Sequence, residues 1–218
     1  MRSKKAEARL QKIRALTTPY DVTYGGITLT VDQHVYPTSE LSELVVECLD
    51  DPVYGITPGD TVLDYGTGTG FLAIQAARRK ARVVAVDINP DAIDCAKKNA
   101  ARHRVSDRIS FRVSHNLKAL KQHETFNIIT AGMPWDDARP ADMLEYSVYD
   151  PQFQMKRALF QQGSDLLKPK GKIILTYGEA IQARHPMEEF SQLYQFFKRH
   201  HRTINNQRHF VCVAMPGA

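Results

Sequence analysis

A glycine-rich loop flanked by acidic residues is the first part of the sequence that could support chemistry. Residues 62–74 read VLDYGTGTGFLAI, and the glycines of this GxGxG pattern are Gly66, Gly68 and Gly70. Because glycine has no side chain, the backbone here can turn sharply and contact a ligand. Asp64 precedes the first glycine, and Asp87 ends the next apolar stretch, RVVAVD. A carboxylate at that place can accept hydrogen bonds from both hydroxyls of a ribose.

The spacing and the preceding acid indicate which nucleotide the loop would bind. A single glycine triplet is shared by proteins that bind NAD, FAD and S-adenosylmethionine. Dinucleotide-binding loops usually show GxGxxG, without an acid at the place of Asp64. This carboxylate would suit the ammonium group of a methionine moiety and would repel a pyrophosphate. The pattern therefore favours S-adenosylmethionine. The alternative is a tight turn without a ligand, with Asp87 as a helix cap that faces solvent.

The only tryptophan of the chain follows the end of another apolar run, in residues 128–137, IITAGMPWDD. Trp135 comes directly after Pro134, whose fixed φ would set the turn that presents the indole ring. A ring at the open end of a buried strand either stacks on a planar ligand or packs as a core aromatic that closes the sheet. Both interpretations fit the sequence.

The elements that would position these residues alternate regularly. From Gly59 onward, apolar strands such as TVLDY, RVVAVD and FNIITA alternate with helical patterns, the last of which cover residues 152–167 and 186–200. Continuous apolar strands between helices are typical of a parallel sheet covered on both faces. RTINNQ and HFVCVAM are predicted to form an antiparallel pair. We therefore expect an α/β fold with a doubly wound, mostly parallel, seven-stranded Rossmann-like sheet and an antiparallel C-terminal edge pair.

The first fifty residues are predicted to extend this core. Residues 3–16 carry Ala6, Leu10 and Ile13 at helical spacing, which indicates an amphipathic N-terminal helix. A short alternating strand, ITLTV, and a helix over ELSELVVECL follow. We expect residues 1–50 to pack as a substrate-side segment on a core of residues 51–218. A chain of 218 residues would then form one domain overall.

Composition and charge bound the class of protein. The chain is 43% hydrophobic and 24% charged, without an apolar run long enough to span a bilayer, so a membrane protein is not expected. The charged start, MRSKKAEARLQKIR, is unlike a secretory signal, which predicts the cytoplasm. The cysteines match no metal-ligand spacing and are expected to be reduced core residues, with no metal site. The net charge of +5 combines a basic N-terminal end with an acidic stretch over residues 136–150.

DYGTGTG and VVAVDINP resemble the first and second motifs of the class I S-adenosylmethionine-dependent methyltransferases, whose fold has the same antiparallel edge pair. The resemblance covers roughly residues 20–215 and implies S-adenosyl-L-methionine as the cofactor. It implies a cofactor site formed by Asp64, Tyr65, Gly66, Thr67, Gly68, Gly70, Asp87, Ile88, His115, Asn116 and Ala131. His115 and Asn116 stand near the family's adenine-binding acid, although a solvent-facing turn fits that stretch equally.

Two further stretches, HVYPTSELSELVVECL and FNIITAGMPW, are similar to the release-factor glutamine methyltransferase and "methyltransferase small" branch of that family. The second falls where the branch carries Asn/Asp-Pro-Pro-aromatic. In the family the first side chain bonds the nitrogen to be methylated, the prolines aim backbone carbonyls at it, and the aromatic ring stacks on the acceptor. The resemblance implies a catalytic segment of Gly132, Met133, Pro134 and Trp135, and an acceptor site formed by Tyr36, Pro37, Thr38 and Trp135.

Gly132 and Met133 depart from the branch motif, in which Asn or Asp and a first proline occupy these places. The hydrogen-bonding side chain is absent, so backbone carbonyls or a residue from elsewhere would have to hold a planar nitrogen. Specificity for glutamine or adenine is therefore not carried over from the resemblance.

The leading hypothesis is a methyltransferase acting on a nitrogen, or less favourably an oxygen, of a planar or amine-bearing acceptor, either a small molecule or a protein side chain. In-line methyl transfer needs alignment and exclusion of water more than a nucleophilic residue or a metal. The acidic stretch over residues 136–150 is expected to border the acceptor mouth and to suit a neutral or cationic acceptor.

Other interpretations remain compatible with the sequence. An RNA or ribosome-associated methyltransferase could bind through the basic N-terminal helix, and steep salt dependence would mark it. From other classes, an NAD(P)-dependent reductase or a non-catalytic cofactor-binding module would use the same fold. The basic run KRHHR, residues 198–202, is interpreted as a solvated helix end rather than a polyanion site. The sequence leaves the oligomeric state open.

Overall fold

The computed structural model describes residues 2–178, 189–204 and 207–217. The helices are α1 (Lys4–Arg14), α2 (Glu40–Leu49), α3 (Phe71–Arg78), α4 (Pro90–Arg102) and α5 (Gln154–Leu166). The strands are β1 (Tyr20–Tyr24), β2 (Ile27–Val31), β3 (Thr61–Tyr65), β4 (Arg82–Asp87), β5 (Ile109–Val113), β6 (Phe126–Ala131), β7 (Leu167–Gly178), β8 (Tyr194–Ile204) and β9 (Gln207–Pro216). Short 3₁₀ turns cover Ser106–Arg108, Glu145–Ser147 and Pro151–Phe153.

The central sheet has seven strands in the order β5-β4-β3-β6-β7-β9-β8. The strands from β5 to β7 in this order pair in parallel, whereas β9 pairs antiparallel with both β7 and β8. The predicted α/β class, the mostly parallel sheet and the antiparallel edge pair are therefore confirmed. Strand order reverses at the centre, between β3 and β6, and in such sheets ligands bind beyond the carboxyl ends of the strands near that point.

Helices cover both faces of the sheet because neighbouring residues on a strand point to opposite sides. Val62 of β3 packs in a cluster with residues of α2 and α3, whereas Leu63 packs in a second cluster with Leu159 and Phe160 of α5. All of these strand residues are buried. The continuous apolar strands of the sequence thus supply two cores from one sheet, which holds the strand ends in fixed relative positions.

The N-terminal segment packs on this core. The predicted helix is α1, and its buried residues Ala6, Leu10 and Ile13 contact a cluster formed by Leu144, Val148 and Tyr149. β1 and β2 form a separate two-stranded antiparallel hairpin. The cysteines are free and buried, as expected. Across the described residues, none of the helices has the length and apolar character required to cross a bilayer.

The predicted helix over residues 186–200 is wrong from Tyr194 onward, where the chain enters β8; residues 186–188 lie outside the described part of the chain. Tyr194 is buried and packs with Phe160, and Phe196 joins the same cluster. This period of two is the strand pattern, and pairing with β9 along β8 outweighs the local helical periodicity. The helix predicted over 152–167 is α5, which starts after the 3₁₀ turn at Pro151–Phe153.

The basic run at 198–202 accordingly lies in β8 and is not a helix end. Arg202 donates hydrogen bonds to the carboxylates of Glu43 and Glu47 in α2. The His200 ring lies 3.6 Å from Glu47 and 3.8 Å from Asp51. The run therefore ties the edge strand to α2 through acidic partners, an arrangement that no local pattern in the sequence indicated.

Candidate active site

The glycine loop runs from the end of β3 into α3 along a tightly bonded path. The backbone N–H groups of Gly66 and Thr67 both donate to the carbonyl of Val86 on the neighbouring strand β4, at 2.9 and 3.0 Å. Gly70 starts α3 with a φ of +83°, and a Cβ there would lie 3.1 Å from the Cα of Ala96 in α4. Glycine is required at this position for both reasons, because a side chain would be strained and would push α4 away.

Asp64 is buried inside this loop and organises it. One carboxylate oxygen accepts hydrogen bonds from the Thr67 hydroxyl at 2.7 Å and the Ala73 amide at 3.1 Å, and the other accepts from the Thr130 hydroxyl at 2.9 Å. Burial raises the pKa of the Asp64 carboxyl to about 6, against the lowering effect of these bonds. The carboxylate thus joins the loop, α3 and β6. Its predicted contact with the methionine ammonium stays a prediction.

Asp87 lies at the end of β4, beside the loop. Its Oδ2 atom accepts a hydrogen bond from the Gly68 amide at 2.9 Å, and its Oδ1 atom accepts one from the Asn89 amide at 2.9 Å. A carboxylate can accept about four hydrogen bonds, so capacity remains for a ligand. Asp87 also lines the cavity described below. The predicted binding of two ribose hydroxyls by this carboxylate stays a prediction.

A cavity of about 750 Å³ opens at the carboxyl ends of the central strands. A volume in the range of roughly 300 to 1,000 Å³ is typical of small-molecule and cofactor sites. The predicted cofactor residues that line it are Asp64, Tyr65, Gly66, Thr67, Gly68, Asp87, Ile88, His115 and Asn116. Gly70 and Ala131 do not line it, because Gly70 packs on α4 and Ala131 is buried between Tyr65 and Leu175 in the sheet.

The residues that follow β5 line the part of the cavity that the glycine loop also lines. His115 is exposed at the cavity, and Asn116 accepts a hydrogen bond from the Tyr65 hydroxyl at 3.4 Å. Both side chains therefore lie within the region where an adenine edge was predicted to bind. That role stays a prediction.

The acceptor segments predicted from the resemblance meet on the other side of the cavity. Tyr36, Pro37 and Thr38 line it together with the segment Gly132–Trp135. The Trp135 ring packs edge-on against the Tyr36 ring, with centroids 6.0 Å apart and planes at 69°. The Thr38 and Thr69 hydroxyls are 2.7 Å apart, which links this segment to the glycine loop. One continuous space therefore joins the predicted cofactor and acceptor regions.

Trp135 combines the two interpretations that the sequence allowed. Its backbone N–H donates to the Val148 carbonyl at 3.1 Å, and its ring packs against the α1 cluster. The ring is nevertheless only partly buried and lines the cavity, as does the more deeply buried Pro134. The ring is thus held from behind by the core and offers its remaining surface to the cavity.

The acidic stretch borders the cavity, which its residues Met143, Leu144, Tyr146, Ser147, Tyr149 and Asp150 line, but most of its acids hold α1 instead of facing the cavity. Arg2 and Arg14 form ion pairs with the buried Glu145 at 2.7 and 3.0 Å, and Arg14 also pairs with Asp142 at 2.6 Å. The Ser3 amide donates to Asp136 at 2.8 Å. Opposite charges in two distant stretches neutralise each other here. Of the acids in residues 136–150, Asp150 is the one that lines the cavity.

Some residues at the cavity were not predicted from the sequence. Lys5, Arg9 and Lys12 of α1 line it, and Arg9 donates to the Tyr36 hydroxyl at 3.2 Å. Lys156 of α5 also lines it. Their spacing in α1, at intervals of three and four residues, was a usable signal for one helix face. Lys156 lies in an ordinary amphipathic helix, and no local pattern distinguished it. In the described ranges no group of side chains could hold a metal ion.

A comparison with known protein families shows which family the chain belongs to. The model of the family described as a methyltransferase domain matches residues 56–211, a range that contains the glycine loop, Asp87 and Gly132–Trp135. The chain belongs to the class I S-adenosylmethionine-dependent methyltransferases. S-adenosylmethionine is accordingly the cofactor, and the glycine loop with the unsatisfied acceptor capacity of Asp87 fits it.

Individual methyltransferases resemble the chain over part of their length. The release factor glutamine methyltransferase of Rhodopirellula baltica is 32% identical over 155 residues, which cover 69% of this chain and 50% of that protein. A tRNA1(Val) (adenine(37)-N6)-methyltransferase of Porphyromonas gingivalis is 32% identical over 129 residues, covering 52% and 48%. The chain thus spans about half the length of these relatives.

A solved structure shows the same fold. The 16S rRNA N2 G1207 methyltransferase of T. thermophilus superposes with a TM-score of 0.67 at 18% identity, over 91% of this chain and 50% of that one. The Rossmann-like methyltransferase fold is therefore confirmed.

We expect Asp87→Ala to weaken the binding of S-adenosylhomocysteine more than tenfold while the protein remains folded. The Asp87 carboxylate is predicted to serve two ribose hydroxyls, and hydrogen bonds to a charged group are worth roughly 1.5 to 3 kcal/mol each. Isothermal titration calorimetry measures the affinity. The matched control is Asp94→Ala, which removes an exposed carboxylate from the adjacent helix α4. An unchanged affinity in Asp87→Ala would rule out the ribose assignment.

Proposed function

We propose that this chain transfers the methyl group of S-adenosylmethionine to a nitrogen, less favourably an oxygen, of a planar or amine-bearing acceptor. The acceptor is a small molecule or a protein side chain bound between Tyr36–Thr38 and Gly132–Trp135. The observation that carries this proposal is the single cavity, in which the glycine loop and Asp87 face the aromatic pair Tyr36 and Trp135. In this proposal the residues before position 51 supply part of the acceptor side, through Tyr36, Pro37 and Thr38, which line the cavity.

Relatives support the class of acceptor but differ among themselves. One is named for glutamine in a release factor, and another for an adenine in tRNA. Both acceptors are planar nitrogen groups, which suits a site walled by aromatic rings. The family match sets aside the nicotinamide-dependent reductase.

RNA is the second candidate acceptor, and one observation favours it. Lys5, Arg9 and Lys12 of α1 line the cavity and would attract phosphate. Arg2 and Arg14 of the same segment are already paired with acids, however, and Arg9 is bonded to Tyr36. Two of the six basic side chains of the N-terminal segment are thus neutralised by acids, and a third is held in place by a hydrogen bond, which reduces the charge that is free to attract phosphate.

Incubation with methyl-tritiated S-adenosylmethionine and a cell extract tests the proposal. After the reaction the extract is separated into protein, RNA and small-molecule fractions. We expect label in the protein or the small-molecule fraction. Label in RNA, with transfer that falls steeply as salt is raised, would replace the proposed acceptor by the second candidate. Binding of S-adenosylhomocysteine without any transfer would mean a non-catalytic module.

We expect Trp135→Ala to lower the rate of label transfer about 5- to 150-fold, because stacking on a planar ring contributes on the order of 1 to 3 kcal/mol. Affinity for S-adenosylhomocysteine should stay within twofold, since the ring lies on the acceptor side. Trp135→Phe is the matched control and should keep most of the rate. If the alanine variant instead loses cofactor binding together with its cooperative unfolding transition, Trp135 acts chiefly as a core residue.

Gly132→Asn restores the side chain of the branch motif, and we expect it to block the native acceptor. A Cβ at Gly132 would meet no atom closer than the Gly66 carbonyl at 3.9 Å, so the new side chain fits the protein and extends into open space. That space is the part of the cavity proposed for the acceptor. Transfer rates of wild type and variant are compared at saturating cofactor. Equal rates would show that Gly132 does not shape the acceptor site.

A further inference from the structure

Lys156, in the first turn of α5, carries a buried amine that the fold does not use. The side chain is 1% exposed, and within the described ranges its Nζ atom has no hydrogen-bond partner. The residue lines the cavity. A buried polar group without a partner is costly, and a buried ammonium without one is more costly still. An amine retained in such a place is explained by a ligand that it contacts.

The surroundings of Lys156 favour a neutral amine that can take up a proton. Burial lowers the pKa of Lys156 to about 7, and the nearby Asp150 carboxylate opposes this effect. Asp150 is itself buried, and its carboxylate accepts hydrogen bonds from the amides of Met155 and Lys156 at 2.9 and 3.3 Å. The Nζ atom lies 4.6 Å from the centre of the Phe153 ring. A carboxylate and an aromatic face are both suited to stabilise an ammonium once it forms.

The other titratable groups around this part of the cavity come from different elements. Tyr65 of β3 lies in the field of Asp150, which adds to the effect of burial in raising the pKa of its phenol. His209 of β9 and Lys5 of α1 also line the cavity. Burial and the charge of Lys5 lower the pKa of His209. Asp150 is thus the charged group that bears directly on Lys156.

The first turn of α5 lies beside the degenerate motif. The Cε atom of Met155 would be 3.2 Å from a Cβ placed on Gly66, and the Gly132 carbonyl would be 3.3 Å from the same point. Met155 and Gly132 therefore meet over the glycine loop, and Lys156 follows Met155 in the chain. The first turn of α5 thus lies against Gly132, where the side chain of the branch motif is absent, and Lys156 lines the same cavity.

We propose that the Lys156 amine accepts the proton that the acceptor nitrogen loses when it is methylated. The inference rests on the proposed function. The acceptor nitrogen forms a bond to the methyl carbon, and the bond from that carbon to sulfur breaks with its electron pair passing to sulfur. The N–H proton passes to Nζ of Lys156, which becomes an ammonium beside Asp150. The proton then leaves to solvent and restores the neutral amine.

Substitutions of Lys156 test this role by the pH dependence of label transfer. Lys156→Met keeps the length of the side chain, and Lys156→Arg keeps its charge but cannot give up a proton at any usable pH. Wild-type transfer should rise tenfold per pH unit up to about 7 and then level off. In both variants the rate should no longer rise with pH up to about 7. Both should be at least about 100-fold slower than wild type at pH 8. Affinity for S-adenosylhomocysteine should stay within twofold.

Lys97→Met is the matched control, since Lys97 is an exposed lysine of α4, and it should behave as wild type. A Lys156→Met variant that keeps the wild-type rate and pH profile overturns the inference while leaving the proposed function intact. If wild type transfers label to no fraction, the proposed function fails first and the proton step fails with it. If Lys156→Met does not fold, Lys156→Arg decides.

Nuclear magnetic resonance gives a readout that is independent of transfer. In protein labelled with ¹³C at the lysine Cε carbons, the Lys156 resonance is assigned by its loss in Lys156→Met or Lys156→Arg. In the complex with S-adenosylhomocysteine it should titrate near pH 7, well below the reference value of about 10.4 for a lysine in a model peptide. A Lys156 resonance that titrates near that reference value would show an ammonium at neutral pH and would overturn the inference.

Discussion

Gly68→Val is expected to abolish the binding of S-adenosylhomocysteine, weakening it by at least about 100-fold, because a branched side chain would stand where the ligand passes. Gly68 lines the cavity, and its amide is bonded to Asp87. A Cβ at this position would meet only the Tyr36 carbonyl, at 3.9 Å, so the valine methyl groups would fill the cavity instead of clashing with the protein. The variant should therefore fold and fail to bind, as measured by calorimetry.

Backbone strain must be separated from obstruction in this experiment. The φ of Gly68 is +53°, a conformation that costs a side-chain-bearing residue about 1 to 2 kcal/mol. Gly59→Val is the matched control, because Gly59 has a φ of +97°, has open space around its Cβ position and precedes β3 at the opposite end of the strand. Gly59→Val should lose at least as much stability in urea as Gly68→Val, because a φ of +97° lies outside the left-handed region open to side chains. Only Gly68→Val should lose binding. A similar loss of binding in both would assign the effect to strain.

The second large effect is expected in the pH dependence of stability, and Asp64 causes it. Burial raises the pKa of the Asp64 carboxyl to about 6 in the folded protein, against its ordinary value of 3.8 in the unfolded chain. Between these values the folded protein holds more protons than the unfolded chain, so the free energy of unfolding falls as pH rises through this window. With about 1.4 kcal/mol for each unit, the loss between pH 4 and 7 is on the order of 3 kcal/mol.

Asp64→Asn should remove this contribution while keeping the size of the side chain. Urea unfolding at a series of pH values gives the free energy of unfolding for both proteins, and their difference isolates Asp64 from the other carboxyl groups. Several of those, such as Asp50 beside Arg79 and Glu124 beside Arg112, have lowered pKa values and act in the opposite direction. If the free energy of unfolding depends on pH in the same way in wild type and in Asp64→Asn, Asp64 ionises in the folded protein as it does in the unfolded chain.

The same measurement examines the predicted contact between Asp64 and the cofactor. S-adenosylmethionine carries positive charge on its sulfonium and its ammonium, and a nearby cation lowers the pKa of a carboxyl. With saturating cofactor, the fall in the free energy of unfolding that Asp64 causes should therefore occur at lower pH in wild type. No movement would mean that Asp64 acts only through Thr67, Thr130 and Ala73, as an organiser of the loop.

The sequence alone was sufficient for the parts of this protein that depend on neighbours along the chain. The strands from β3 to β7, the turn at Gly66–Gly70 and the place of Asp87 at a strand end follow from apolar runs and from glycine at a strand-to-helix turn. Parallel strands then bring their carboxyl ends to one edge, so Asp64, Asp87 and Gly132 could be expected to share a site. The cavity that joins most of the predicted residues agrees with this expectation.

Tertiary structure alone decided the features that depend on partners far away in the chain. Residues 194–200 have a helical pattern locally, but pairing with β9 satisfies their backbone and makes them a strand. The acidic stretch lines the cavity as expected, but Glu145 within it pairs with Arg2 and Arg14, which lie more than a hundred residues away in the sequence. Lys156 is distinguished only by burial beside a cavity. Ion pairs and burial depend on which residues are close in space. A pattern along the sequence does not show the spatial distance between residues that are far apart in the chain.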